Sequence, residues 1–143
     1  MPKPPFRNVK TPAVPEPPSG AYSNCFAVGD TIYIAGQHAG TPQGAIGGNS
    51  VREQAREAFR RVFGLIEAAA GTPDDIVKLT VYLCDMAGRN DLSAIRRELL
   101  AEPLPCSTLI GVKELASPDL LVEIDAIAVV GSGGRKAAIS WIK

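Results

Sequence analysis

The stretch at residues 120–130, LLVEIDAIAVV, constrains the fold more than any other part of the chain. Because side chains alternate across a strand, its pattern predicts a long β-strand with two different faces. One face is wholly apolar, whereas the other places the carboxylates of Glu123 and Asp125 among apolar neighbours. A carboxylate buried without a partner costs several kcal/mol. Glu123 and Asp125 therefore need either bonding partners or a chemical role.

The length and charge of the chain limit its class. Its 143 residues are enough for one domain with a substantial core. The 15 Lys and Arg residues balance the 15 Asp and Glu residues, so nucleic acid is disfavoured as a partner. No apolar run reaches the roughly 18 residues of a membrane span, and prolines occupy the N-terminus where a signal peptide would be apolar. We therefore expect a soluble, cytoplasmic protein with no membrane partner.

The cysteines and glycines give no sign of a metal or cofactor. Cys25, Cys84 and Cys106 are far apart and lack C-x-x-C spacing, which favours reduced thiols that behave as small buried side chains. The glycines of residues 40–48 are not followed by the G-K-[ST] of a phosphate-binding loop. We expect no metal and no cofactor.

Changes in composition divide the chain into three parts. Residues 1–20 hold seven of the twelve prolines and are predicted to form an extended or disordered arm, because proline disfavours both helix and strand pairing. Residues 21–130 are predicted to form the folded domain. In residues 131–143, a glycine-rich flexible link is expected to lead to an apolar tail at 137–143, which could join a sheet edge or pack on a neighbour.

The first half of the domain predicts a hairpin and a long helix. Residues 23–28 and 31–36 are β-rich and flank Gly29-Asp30, which suits a two-residue type II′ turn. Ser50 and Glu53 form a capping box that starts a helix, and Gly71 and Pro73 supply its stop. The polar side of this helix is predicted to be solvated, with charges that pair at helical spacing: Arg52, Arg56, Glu57, Arg60 and Arg61.

The second half predicts three strands and a shorter helix. A helical turn at 72–75 is followed by an alternating strand at 77–83, with inward residues Val77, Leu79, Val81 and Leu83. Asn90 or Asp91 can cap the second helix, and Pro103 and Pro105 exclude its continuation. A further strand at 108–112 precedes the stretch at 120–130.

The resulting order, ββαβαββ, predicts an α+β sandwich in which two helices pack on one face of the sheet. Two helices can cover only one face, yet the other face carries Leu121, Ile127 and Val129. A large exposed apolar surface usually marks an interface, so we expect self-association.

Four segments in order resemble the YjgF/RidA family, also called the endoribonuclease L-PSP family. They are GAYSN at residues 20–24, YIAGQ at 33–37, DIVKLTVYL at 75–83 and VEIDAIA at 122–128. The resemblance runs from about residue 12 to residue 130. It implies a chorismate-mutase-like fold with a mixed sheet, and a homotrimer with a barrel-like core and ligand clefts between subunits.

The resemblance also implies an activity, the hydrolysis of reactive enamines and imines to keto acids and ammonia. Carried over by motif, Tyr22 lines the cleft, Gly36 offers its backbone near a small-molecule ligand, and Glu123 positions or activates the attacking water as the catalytic residue. Such chemistry needs a base for the water and a cation for the carboxylate of the substrate.

The cation is missing from its family position. Imine-hydrolysing members carry an arginine after a Pro-Ala pair, whereas this chain has Cys106, Ser107 and Thr108 after Pro105. These three residues remain candidate ligand contacts, and the standard 2-imino acid is not the expected substrate. A neutral ligand could bind instead, or another cation could reach the site: Lys113, Arg89 or Arg135.

Three function classes follow, of which the first is favoured. They are a RidA-like hydrolytic deaminase of a small enamine or imine, a non-catalytic trimer that binds a small metabolite, and a ribonuclease or translation inhibitor, which the zero net charge disfavours. Covalent catalysis by Cys106 is also disfavoured, because the single histidine, His38, lies far away in the sequence. His38 is expected to be a polar loop residue near the cleft mouth rather than a base.

Overall fold

The computed structural model describes residues 1–134 of the chain. The elements in these residues are β1 (Phe6–Asn8), β2 (Cys25–Val28), β3 (Thr31–Gln37), α1 (Val51–Ala68), β4 (Ile76–Leu83), α2 (Arg89–Leu99), β5 (Cys106–Gly111) and β6 (Val122–Val129). The predicted apolar tail at residues 137–143 lies outside the described residues. Neither α1 nor α2 is long and apolar enough to cross a membrane.

The strands form one mixed sheet in the order β1-β2-β3-β6-β4-β5. All neighbours are antiparallel except β4 and β5, which run parallel because α2 crosses between them. The stretch that dominates the sequence becomes the central strand β6, whose inward residues are at most 2% exposed: Val122, Ile124, Ala126 and Ala128. Both helices cover this inner face, which confirms the predicted α+β class.

The predicted hairpin and the start of α1 are confirmed. β2 and β3 pair around Gly29, whose φ is +58°, a value that favours glycine. The Ser50 hydroxyl accepts a hydrogen bond from the Glu53 amide at 3.1 Å. The left-handed residue after α1 is Ala70 rather than Gly71. Gly71 is instead needed for close packing, since a Cβ there would lie 2.9 Å from the Ile66 side chain.

Two local predictions in the second half were wrong. α2 begins at Arg89 without a side-chain cap, so neither Asn90 nor Asp91 caps it. A 3₁₀ turn over Met86–Gly88 leads directly into the helix, and this turn is capped by Asp85, which accepts from the Ala87 amide at 2.9 Å. In β4, Val77 is only half-buried, and Ile76 points inward in its place. The cause is a register shift against β6 between Ile76 and Lys78.

The polar side of α1 was predicted to be solvated, and this is wrong for Glu57 and Arg61. Their exposed fractions are 8% and 5%. Arg61 Nε donates to Glu57 Oε2 at 2.8 Å, and its Nη2 donates to the Gly40 carbonyl at 2.9 Å. The loop after β3 therefore covers this part of the helix, and the i,i+4 ion pair that the sequence predicts becomes a buried one.

Both ends of the described chain are more ordered than predicted. Phe6–Asn8 forms the edge strand β1 on β2, although prolines surround it. Val9 and Val14 are buried in the core, and the Ala13 carbonyl accepts from Arg60 of α1 at 3.2 Å. At the other end, the Gly133 amide donates to the Asp75 carboxylate at 2.9 Å, so the glycine-rich residues are anchored rather than free.

The three cysteines are free thiols that differ in burial. Cys25 is buried, and this burial raises its pKa to about 11. Cys84 is half-buried, whereas Cys106 is exposed at the start of the edge strand β5. The expectation of a buried side chain was therefore wrong for Cys106.

Candidate functional site

The sheet face opposite the helices, here called the open face, carries aromatic and charged side chains. Its exposed apolar members include Phe26, Tyr33 and Ile110, with exposed fractions of 37%, 49% and 39%. The Phe6 ring packs against that of Phe26 with centroids 4.8 Å apart. This is the uncovered apolar surface that the sequence predicts, and Glu123 and Asp125 of β6 lie within it.

Glu123 packs directly against Gly36 of β3. A Cβ built on Gly36 would lie 2.7 Å from Cδ and 2.9 Å from Oε2 of Glu123. The approach is this close because β3 bulges here: Ile34 pairs with Ala126 and Gln37 with Ile124, which leaves two β3 residues opposite Asp125. Any side chain at position 36 would push the carboxylate aside.

The two carboxylates on β6 differ in their partners. Asp125 accepts a hydrogen bond from the Tyr82 hydroxyl at 2.9 Å, and this bond raises the pKa of Tyr82. The Glu123 side chain is half-buried and makes no hydrogen bond or ion pair with any residue in 1–134. Burial, and then the charge of Asp125, raise the pKa of Glu123 above its ordinary value. Among the described residues, Glu123 is therefore the β6 carboxylate that is left to bind water or a ligand.

The three candidate residues on β5 do not converge on one point. Ser107 points to the helix side of the sheet, where its hydroxyl accepts from Arg96 Nη1 of α2 at 2.8 Å. Thr108 points to the open face, where its hydroxyl accepts from Lys78 Nζ at 2.7 Å. Thr108 is in register with Asp125 through Thr80 of β4, two strand spacings or about 10 Å away. Of the predicted residues, Gly36 is the one that the structure shows packed against Glu123.

The structure shows the exposure of Tyr22 and the hydrogen bond of His38. Tyr22 is 55% exposed and is therefore not a core residue. His38 Nδ1 accepts from the Gly40 amide at 3.0 Å. Burial, and then the Arg61 charge, lower the pKa of His38, while Asp119 opposes them. The ring is thus a neutral part of the loop over α1 and makes no hydrogen bond to Glu123.

Three residues that contact or border the candidates were not predicted from the sequence. Tyr82 and Lys78 lie on the polar side of the alternating strand β4, which was the available signal for both. Arg96 was not among the cations considered for position 107, because a helix residue 11 positions away gives no local signal. Of the cations that were considered, Arg135 lies outside the described residues, and neither Lys113 nor Arg89 contacts Ser107.

The described residues contain no group of three His, Cys, Asp or Glu side chains placed to hold a metal ion. The chemistry that the open face offers is that of a half-buried carboxylate of raised pKa, next to glycine backbone and surrounded by apolar surface. Such a group can take a proton from water and return it later.

Comparison of the chain with known proteins identifies its family. The family model described as endoribonuclease L-PSP matches residues 13–130. The chain belongs to the YjgF/RidA, or endoribonuclease L-PSP, family. A RidA-family relative from Dermatophagoides farinae, named 2-iminobutanoate/2-iminopropanoate deaminase, is 30% identical over 129 residues, which are 88% of this chain and 98% of the relative.

Solved structures of the family have the same fold. RidA from an Antarctic Psychrobacter is 30% identical, with a TM-score of 0.79 over 87% of this chain and 99% of that one. A Pseudomonas aeruginosa protein, described as of unknown function, is also 30% identical, with a TM-score of 0.80 over 90% of this chain and 94% of that one. The family resemblance that the sequence motifs predict is therefore confirmed.

Proposed function

We propose that this chain is a hydrolytic deaminase of a small enamine or imine, with Glu123 as the catalytic base in a cleft between subunits. The observation that carries the proposal is the Glu123 carboxylate, which is half-buried, packed on Gly36 and unbonded within the described residues. The deaminase name of the Dermatophagoides relative supports the reaction class.

The proposed reaction converts C=N and water into C=O and ammonia. Glu123 accepts a proton from water as the water oxygen bonds to the imine carbon, and it passes this proton to the imine nitrogen, which gives a neutral carbinolamine. Glu123 then accepts the proton of the carbinolamine hydroxyl as the C=O bond forms. The C–N bond breaks, and Glu123 gives this second proton to the leaving nitrogen, which departs as ammonia and leaves the carboxylate as it began. The raised pKa of Glu123 makes its carboxylate a stronger base toward water than an ordinary glutamate.

We also propose that the open face is the subunit boundary of a homotrimer. Phe26, Tyr33 and Ile110 expose apolar surface on this face, and burial of such surface favours association. A neighbouring subunit would close the space above Glu123 and exclude bulk water from it. Thr108 and Cys106, which lie on the edge strand β5 beyond β4, are proposed to contribute to the cleft from across the boundary, and the exposed Tyr22 is proposed to line it.

The proposed substrate differs from the standard 2-imino acid. Position 107 holds serine, and its side chain points away from the open face toward Arg96. A charge-assisted hydrogen bond contributes about 1.5–3 kcal/mol, so the missing arginine should weaken binding of a carboxylate-bearing imine by tenfold or more. We therefore favour an imine or enamine without a carboxylate.

Ammonia release from freshly generated imines, with and without a carboxylate, tests the proposal. Turnover of the best substrate should fall by roughly 10²–10⁴ in Glu123→Gln, the range for a single general base. Glu114→Gln makes the same change at an exposed residue whose side chain has no hydrogen bond or ion pair with residues 1–134, and it should leave turnover unchanged. If no imine is hydrolysed but small metabolites bind at the open face, the non-catalytic alternative replaces the deaminase.

A further inference from the structure

A pocket of about 240 Å³ lies on the helix side of the sheet, between α2 and β5. It is here called the α2–β5 pocket. Its polar lining consists of Ser93, Arg96 and Arg97 from α2 and Ser107 from β5, and its apolar lining includes Leu100 and Leu104. The pocket is separate from Glu123, which lies on the other face of the sheet.

Arg96 is fixed in this pocket by two neutral groups. Its Nη1 donates to the Ser107 hydroxyl at 2.8 Å, and its Nη2 donates to the Ser93 hydroxyl at 3.4 Å. These hydroxyls orient the guanidinium but do not neutralise it. No ion pair within residues 1–134 involves Arg96 or Arg97.

The absence of an acidic partner distinguishes Arg96 from comparable arginines of this chain. Arg61, which is buried, is paired with Glu57 at 2.8 Å. Even Arg56, which is more exposed, is paired with Glu98 at 2.7 Å. Arg96 is half-buried. Its pKa is lowered first by this burial and then by the positive charge of Arg97. A partly desolvated cation beside a second cation is stabilised by an anion, and a pocket with room for one lies beside it.

The shape and lining of the pocket select among anions. A guanidinium offers two parallel N–H groups that match the two oxygens of a carboxylate. The wall formed by Leu100, Leu104 and Pro105 suits a short apolar body attached to that carboxylate. The volume is below the roughly 300–1,000 Å³ of pockets for drug-sized ligands, so the ligand should be small.

We propose that the α2–β5 pocket binds a small aliphatic carboxylate, with Arg96 as the anion-binding residue and Arg97 as a second cation. The site does not depend on the deaminase proposal, because it lies on the opposite face of the sheet and needs no contribution from Glu123. Ser107 and Ser93 serve as positioning residues that hold the Arg96 guanidinium.

Butyrate binding, followed by the amide NMR shifts of the full chain, tests this site. We expect saturable shifts at Ser93, Arg96 and Ser107 at millimolar butyrate, and none with butyramide, the uncharged analogue. Arg96→Gln should weaken butyrate binding by roughly tenfold or more, as expected for the loss of a charge-assisted contact. Arg89→Gln removes the same charge from an exposed position of α2 and should leave binding unchanged.

Three results would overturn the proposal. The first is the absence of shifts at tens of millimolar butyrate in the unmodified chain. The second is equal binding of butyramide, which would indicate an apolar pocket without anion recognition. The third is stronger binding of inorganic phosphate than of butyrate, which would indicate an oxyanion site that does not use the apolar wall. Ser107→Ala keeps the charge of Arg96 but removes one of the bonds that position it, so it should weaken butyrate binding less than Arg96→Gln does. It also tests the site if Arg96→Gln folds poorly.

Discussion

At the scale of single residues, Glu123 shows what a sequence pattern can and cannot reveal. The alternation of residues 120–130 predicts that a carboxylate is placed among apolar neighbours, and β6 places it there. The pattern cannot tell that the Tyr82 hydroxyl bonds Asp125 while the Glu123 carboxylate has no partner in residues 1–134, because Tyr82 is in register with Glu123 and only the direction of its side chain brings the hydroxyl to Asp125. Nor can it show that a bulge in β3 brings Gly36 against the Glu123 side chain.

Replacement of Gly36 by alanine should displace the Glu123 carboxylate, because the added Cβ would lie 2.7 Å from Cδ. If Glu123 is the base, turnover of an identified imine should fall by roughly 10²-fold, the effect of moving a catalytic group by about an ångström. The matched control is Gly134→Ala, where an added Cβ meets no atom within 4 Å. Unchanged turnover in Gly36→Ala would argue against a role for the present position of Glu123.

The raised pKa of Glu123 leads to a pH dependence of stability. Because the folded state favours the protonated acid, this side chain contributes most to stability below its unfolded pKa of about 4.3, and the contribution is lost as pH rises through the folded pKa. Glu123→Gln, which cannot ionise, should therefore be more stable than the unmodified chain at neutral pH, with the difference vanishing in acid.

Urea unfolding at a fixed protein concentration, repeated across this pH range, measures the difference. A variant that is less stable at neutral pH would contradict the prediction. It would show that the Glu123 charge is satisfied by a cation from a neighbouring subunit, so that the carboxylate is structural.

At the scale of elements, the sequence predicts the pairing of charges better than their burial. The i,i+4 spacing of Glu57 and Arg61 is visible in the helix pattern. Their burial depends on the loop after β3, whose path is fixed by tertiary contacts such as that of Arg61 with the Gly40 carbonyl. The burial of the arm before β2 also depends on tertiary contacts. Its prolines predicted an extended or disordered segment, but Val9 and Val14 are part of the core.

Glu57→Ala should lower the free energy of unfolding by about 3 kcal/mol or more, because it leaves the Arg61 guanidinium buried without a counter-ion. Glu53→Ala on the same helix removes an exposed partner of Arg56 and should cost less than about 1 kcal/mol. Chemical denaturation of both variants provides the comparison. Similar small losses in the two would mean that Arg61 reaches solvent once Glu57 is removed.

At the scale of the whole molecule, the pattern of strands and helices determined the fold class, and the four family motifs determined the family. The sequence could not predict which face of the sheet each candidate residue of β5 would occupy. Ser107 faces Arg96 on the helix side, whereas Thr108 faces Lys78 on the open face. That division depends on the parallel register of β5 on β4, which the crossover through α2 sets.

The proposed trimer predicts a mass near three times the 15.0 kDa of one chain in light scattering coupled to size exclusion. Tyr33→Asp, which places a charge in the open face, should shift the population toward smaller species. An aspartate in place of Lys113, which is exposed and has no partner in the described residues, should not. A monodisperse monomer of the unmodified chain at micromolar concentration would contradict both the trimer and a site between subunits.

The position of β6 has a consequence for how the chain reaches its fold during synthesis. This strand is the last of the described strands to leave the ribosome, yet it lies between β3 and β4 and joins the two halves of the sheet. Until it emerges, β1, β2 and β3 on one side and β4 and β5 on the other have no common strand to pair with. A nascent chain of about 120 residues therefore exposes two incomplete sheets, each with an open edge that can pair with other chains. Sequestration of these edges by chaperones until translation ends would protect the newly made protein from aggregation.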